Sequence, residues 1–181
     1  MVLKVFKYGE KVLREKAMPV AVVDDALRRL AENMVETMHD AGGVGLAAQQ
    51  VGRTQSVCVI DIPEGADKGE DAAFNAPIAM PLVMFNPVIV AREGSQKDKE
   101  GCLSFPKVGG SITRAHEVVC QYLDVDNLPQ MITARGFLAR AIQHECDHLE
   151  GVLYIDHMTA VERLQYAAQL KKLAAKNGGT R

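Results

Sequence analysis

Gln143-His144-Glu145-Cys146-Asp147-His148 is the stretch on which the reading of this chain turns. On a helix, His144 and His148 stand one turn apart on the same face, close enough for two imidazoles to hold one metal ion. Glu145 lies about 100° round the helix, where it can reach a metal-bound water without being a ligand. That is the position of a general base. Phe137, Leu138, Ala141, Ile142 and Leu149 make one apolar stripe at helical spacing, and His144, Glu145 and His148 fall within it. Arg140, Gln143, Asp147 and Glu150 fall at its edge or on the other side. A carboxylate and two imidazoles are costly to bury unpaired, and a divalent cation would compensate them. A pair of hydrogen-bonded structural histidines is the plainer alternative. Gly151 supplies the stop.

Working outward, 181 residues suit a single catalytic domain with one sizeable core, residues 160–181 forming its C-terminal helix and tail. A net charge of −2 with both signs mixed along the chain argues against a nucleic-acid binder driven by overall charge. Cys58, Cys102, Cys120 and Cys146 lack paired C-x-x-C spacing, so reduced thiols are expected. The amino terminus has no apolar leader and no apolar run is long enough to span a bilayer, so a soluble, cytoplasmic protein without a membrane partner is expected.

Upstream, Asp24 and Asp25 read as the cap and first-turn acid of an amphipathic helix carrying Leu27, Leu30, Ala31, Met34, Val35 and Met38 and ending at Gly42-Gly43. Gly43-Val44-Gly45-Leu46-Ala47-Ala48-Gln49-Gln50 contains a G-x-G-x-x-A string, with Asp61 suitably distant for a dinucleotide fingerprint. That fingerprint needs a strand before its glycines, and here a helix precedes them. The glycines better serve close approach of backbone to an extended ligand, and Gln50 could offer its amide to a reacting oxygen. A strand pattern covers 55–62. Residues 63–80 lack periodicity and read as a mobile surface insertion. A second strand pattern, 81–90, precedes a charged turn region at 92–99.

In Glu100-Gly101-Cys102-Leu103-Ser104, a lone cysteine taken alone would pack as a small hydrophobe. Beside the histidine pair, Cys102 completes a set of one sulfur and two nitrogens that leaves a coordination position open. Cys146 points to the opposite helix face, and Cys58 and Cys120 belong to strand patterns in the core. Residues 117–125 and 131–133 form a hairpin across Asp126-Asn127-Leu128-Pro129. Val161, Leu164, Ala167, Ala168 and Leu173 mark a last amphipathic helix, with Lys171, Lys172 and Lys176 near its end.

These three motifs, in this order, together with Leu13-Arg14-Glu15-Lys16-Ala17-Met18-Pro19-Val20, resemble those of the peptide deformylases. The resemblance covers nearly the whole chain apart from residues 63–80. It implies an α+β fold, antiparallel sheets surrounding a central metal-binding helix with an N-terminal and a C-terminal amphipathic helix. It also implies a metal-dependent hydrolase that removes the formyl group from N-formylmethionyl nascent peptides. The family's metal ligands fall on Cys102, His144 and His148, its base on Glu145, and its oxyanion donors on Gln50 and the Leu103 backbone. Substrate backbone would lie beside Val44, Gly45 and Gly101, and the methionine side chain near Val44, Phe137, Arg140 and Ala141.

Arg140 stands where an aliphatic residue is common in the family, and Gly109 where some members carry an arginine. The resemblance implies Fe2+ as the ion, with Zn2+ or Ni2+ as substitutes, whereas the ligand chemistry alone favours zinc. The C-terminal helix is similar to extensions that dock on the ribosome, and deleting residues 170–181 is expected to weaken that docking while sparing hydrolysis. Two rivals remain at this stage. One is a His-Glu-x-x-His metalloprotease, whose third ligand would fall on Tyr154 or Glu162. The other is a non-catalytic protein with a structural metal.

Overall fold

Asp24 opens the first helix, α1 (Asp25–Asp40), its side chain accepting a hydrogen bond from the Leu27 amide at 2.9 Å. In the computed structural model, which describes residues 1–178, short strands β1 (Gly45–Ala47) and β2 (Val57–Ile60) follow, then helix α2 (Gly69–Asn75). Next come β3 (Leu82–Glu93), β4 (Gln96–Gly101), β5 (Gly109–Arg114), β6 (Glu117–Leu123) and β7 (Pro129–Arg135). The chain closes with α3 (Gly136–Leu149), α4 (Ala160–Gln165) and α5 (Ala167–Asn177). All strand pairs are antiparallel, five in the order β1-β2-β3-β6-β7, while β4 and β5 form a separate hairpin.

Period-two alternation explains how β2 carries two cores at once. Val57 and Val59 face the cluster built by α1, with Met34, Met38 and Leu46. Cys58 and Ile60 face the cluster built by α3, with Leu138 and Ile142. A third cluster, Phe105, Ile112, Tyr154 and Leu170 among its members, closes the far side of α3 beside the β4–β5 hairpin. The α+β architecture around a central helix is as expected, and Cys58 and Cys120 are core residues.

Several expectations need correction. Arg140 and Gln143 are buried, at 3% and 5% exposure, because the hairpin covers the flank of α3 that the sequence pattern leaves to solvent. Residues 63–80 are not a simple surface insertion. They contain α2, and Asp67 and Asn75 hold the start of the motif helix. The Phe137 amide donates to Asp67 Oδ1 at 2.7 Å, and the Asn75 side chain exchanges two hydrogen bonds with the Arg135 backbone, at 2.9 and 3.0 Å. Since Arg135 caps nothing with its own side chain, these partners satisfy donors that a helix start leaves open. Gly136, at φ +57, turns the chain tightly from β7 into α3, and a Cβ there would collide with Asp71.

The supposed charged turn at 92–99 is mostly strand, the turn itself lying at Gly94 and Ser95 between β3 and β4. The last helix is broken at Tyr166, and Val161 and Leu164 are exposed at 69% and 75%. Leu170, by contrast, is buried against Phe105 and Val108. Residues 179–181 of the expected tail lie outside the described residues.

Candidate active site

Helix α3 delivers the two histidines as its spacing requires, with ring centroids 4.9 Å apart and planes at 74°. Cys102, just past the end of β4, places Sγ 3.3 Å from His148 Nε2. One donor atom from each of Cys102, His144 and His148 lies within 4.8 Å of the others. Such a sulfur and two imidazole nitrogens suit a divalent transition metal with a position left for water.

Glu100 fixes the first histidine. Its Oε2 lies 3.0 Å from His144 Nδ1, which leaves Nε2 for a cation, the usual arrangement of a histidine ligand held by an outer carboxylate. Arg114 grips both oxygens of Glu100, at 2.9 and 3.1 Å, and Arg140 Nη1 adds a contact at 2.7 Å. Arg114 also pairs with Asp147, which lies 2.8 Å from His157. Burial alone would raise the Glu100 pKa; hydrogen bonds from His144 and Arg114 overcome it and hold the carboxyl well below its ordinary range. Burial likewise opposes charge on His144, yet its hydrogen bonds to Cys102 and Glu100 carry its pKa well above the usual value. Burial, reinforced by neighbouring His144, drives His148 the other way. Sulfur and two ring nitrogens converging at this spacing fit a divalent cation, which would bind them in place of protons.

Glu145 is 4% exposed, and its Oε2 finds no partner among the described residues. Burial pushes its pKa up to about 7, the neighbouring His144 pulling the other way. A carboxylate poised near neutrality and free of protein partners can take and return a proton. Gly45, on β1, packs directly over it, and a Cβ at that position would overlap Glu145 Oε1. Gln50 is fully buried and fixed by its own Oε1, which accepts from the Ala47 amide at 2.8 Å. Its Nε2 therefore faces Cys102 Sγ at 3.3 Å and Ser104 Oγ at 3.2 Å.

A cleft of about 620 Å³ opens onto this centre. Val44, Gly45, Gly101, Leu103, Phe137, Arg140 and Ala141 all line it, as do Gln50, Cys102, His144 and Glu145; His148 lies behind Cys102. Edge strand β1 forms one wall and the end of β4 the other. Arg140 contributes its stem alone, since its guanidinium is spent on Glu100, the Ile112 carbonyl at 2.9 Å and the Gln96 carbonyl at 3.3 Å.

Sequence reasoning missed the supporting roles of Glu100 and Arg114, and of Lys7, whose Nζ donates to the Leu103 carbonyl at 2.7 Å. Glu100 stood inside a quoted motif, and its place two residues before the cysteine was an available signal. Lys7 and Arg114 gave none. The protease ligands are absent from the centre: the Tyr154 hydroxyl donates to the Val108 carbonyl at 3.0 Å, and Glu162 is occupied by Thr159 and Ser111. Among the described residues, the only cluster able to hold an ion is that of Cys102, His144 and His148.

The fold, with Cys102, His144 and His148 converging beside the buried Glu145 carboxyl at the end of a cleft walled by strand edges, defines the class of a metal-dependent hydrolase. The family model for polypeptide deformylase matches residues 2–164. The chain belongs to that family. It is 43% identical over 171 residues to the peptide deformylase of Nitrosococcus oceani, covering 94% of this chain and 95% of the relative. To that of Desulfitobacterium hafniense it is 41% identical, with 90% and 98% covered. Among solved structures, peptide deformylase from Ehrlichia chaffeensis in complex with actinonin superimposes with a TM-score of 0.84 at 35% identity, covering 94% of this chain and 96% of the other. The peptide deformylase of Thermus thermophilus gives 0.84 at 34% identity, with 97% and 99% covered. Removal of the N-formyl group from new polypeptides is the activity this membership carries.

Proposed function

We propose that Cys102, His144 and His148 hold the metal, that Glu145 is the general base, and that Gln50 and the Leu103 amide receive the oxyanion. When bound, the ion supplies a Lewis acid that acidifies water and polarises the formyl oxygen. Glu145, buried and near-neutral in pKa, takes the proton as water attacks the formyl carbon. As the carbonyl oxygen gains charge, Gln50 Nε2 exchanges one of its long contacts, at 3.3 and 3.2 Å, for it. The Leu103 N–H is the second donor, and each such donor is worth about 3 kcal/mol of barrier. Glu145 then protonates the departing amine, releasing formate.

Edge strand β1 and the end of β4 suit an extended peptide, which would add as a strand between them beside Val44, Gly45 and Gly101. The methionine side chain would enter between Phe137, Ala141 and the Arg140 stem. Fe2+ is the ion this reading favours, Zn2+ and Ni2+ being substitutes. The exposed Val161 and Leu164, with Lys171, Lys172 and Lys176 beyond them, support docking of the C-terminal helices on the ribosome. Charge reversal of the three lysines is expected to weaken ribosome binding at least tenfold while the rate on a short peptide holds; equal affinity would end that reading.

The observation that carries the whole is the partnerless Glu145 carboxylate beside an open three-ligand set. Its test is the product. Formyl-Met-Ala-Ser should yield formate and an intact tripeptide, lost in Cys102→Ser and kept in Glu162→Gln. Cleavage of an internal peptide bond instead would favour a protease.

A further inference from the structure

The charges around the cleft are one-sided. Lys7, Lys99 and Lys107 line it, and none of the three forms an ion pair among the described residues. Among the described residues, the acids lining the cleft are only Glu100, consumed by Arg114, Arg140 and His144, and the base Glu145. On the facing wall, Ala41 and Gly42 bring no charge.

Lys7 is half-buried and, among the described residues, its Nζ has one hydrogen-bond partner, the Leu103 carbonyl. An ammonium carries three donors, so two remain for a ligand. Lys99 and Lys107 are exposed on the β4 side of the rim. The segment bearing Lys107 is itself fixed, because Gln169 Nε2 donates to the Pro106 and Lys107 carbonyls at 3.3 and 3.0 Å. Like charges lining one groove raise the local potential for an anion and raise its rate of capture.

We propose that this cleft is a cationic subsite for carboxylates, so that the enzyme favours formylated peptides with acidic residues just after the methionine over those with basic ones. This rests on the deformylase reading of the same site. The substrate's acidic side chain, or a short peptide's own terminal carboxylate, meets Lys99 and Lys107 at the rim and Lys7 deeper in.

The test compares kcat/KM for three amidated peptides, formyl-Met-Ala-Ser, formyl-Met-Glu-Ser and formyl-Met-Lys-Ser, and for the corresponding third-position set, with the metal-loaded enzyme. At low ionic strength the Glu peptide is expected to exceed the Lys peptide by about five-fold or more at one position, since exposed pairs are individually weak but three cations act together. The ratio should fall towards one in about 0.5 M salt. The double reversal Lys99→Glu/Lys107→Glu should invert the preference, whatever it does to the neutral peptide. A ratio of one or below in the wild type, a ratio indifferent to salt, or one unchanged by the double reversal overturns the proposal. Formate released from none of the peptides overturns the deformylase reading beneath it, a result distinguishable from equal release from all.

Discussion

Glu145 sits in surroundings that oppose its charge: it is 4% exposed, and its Oε2 has no hydrogen-bond partner among the described residues. Burial raises its pKa to about 7, so the folded chain binds a proton that the unfolded chain has already lost above its ordinary range. The stability tied to this carboxyl is full below the unfolded pKa and is lost as pH rises through the folded value. In the metal-free protein, Glu145→Gln is therefore expected to stabilise at pH 8 by roughly 2–4 kcal/mol and to change little at pH 4, measured by urea unfolding. A destabilised variant at pH 8 would contradict the account. Glu100 acts instead on His144, the neighbouring proposed ligand. Replacing it with Gln removes the charge that orients His144 and leaves Arg114 and Arg140 undercompensated, so metal affinity should fall about 10- to 100-fold, read by chelator competition. An unchanged affinity would show that the His144 ring is held by packing alone.

At the scale of elements, the motif helix was the most legible part of the sequence, because the 3.6-residue period, the two histidines and Gly151 all agree. What the sequence hid were contacts between distant segments. Asn75 lies in a stretch with no periodicity, yet bonds to the Arg135 backbone at the start of α3, 60 residues on. No local pattern announces such a cap. Asn75→Ala leaves the part-buried N–H and C=O of Arg135 without these partners and is expected to cost about 1–3 kcal/mol, with a matching fall in the urea midpoint; a loss within experimental error would mean residues 63–80 are the loose insertion their composition suggests. The break at Tyr166 was equally hidden, since Val161, Leu164 and Leu173 sit at helical spacing across two helices. Cys102, in contrast, became legible as a candidate ligand only because the histidine pair had already been found.

Across the whole molecule, the proposed metal site of Cys102, His144 and His148 stands beside the β4–β5 hairpin and the cluster that the C-terminal helix joins through Leu170. Leu170 packs with Phe105 and Val108, Gln169 holds the Pro106 and Lys107 carbonyls, and Asn177 reaches the Tyr8 carbonyl at 3.3 Å. The C-terminal helix is thus part of the scaffold behind Cys102, not an appendage. Deleting residues 170–181 should lower stability and short-peptide hydrolysis together, and Leu170→Ala alone should cost about 2–4 kcal/mol in chemical unfolding; a deletion that spares both would return the helix to the role its sequence alone suggests.

The most direct measurement of the central claim is formate release from formyl-Met-Ala-Ser by anaerobically prepared, Fe2+-loaded protein, with Glu145→Gln beside it and the bound metal counted in both. Rapid release by the wild type is expected, with a loss of at least about 10³-fold in the variant while the ion is still present. Release that survives in the variant, or none from wild type holding one ion per chain, would contradict it.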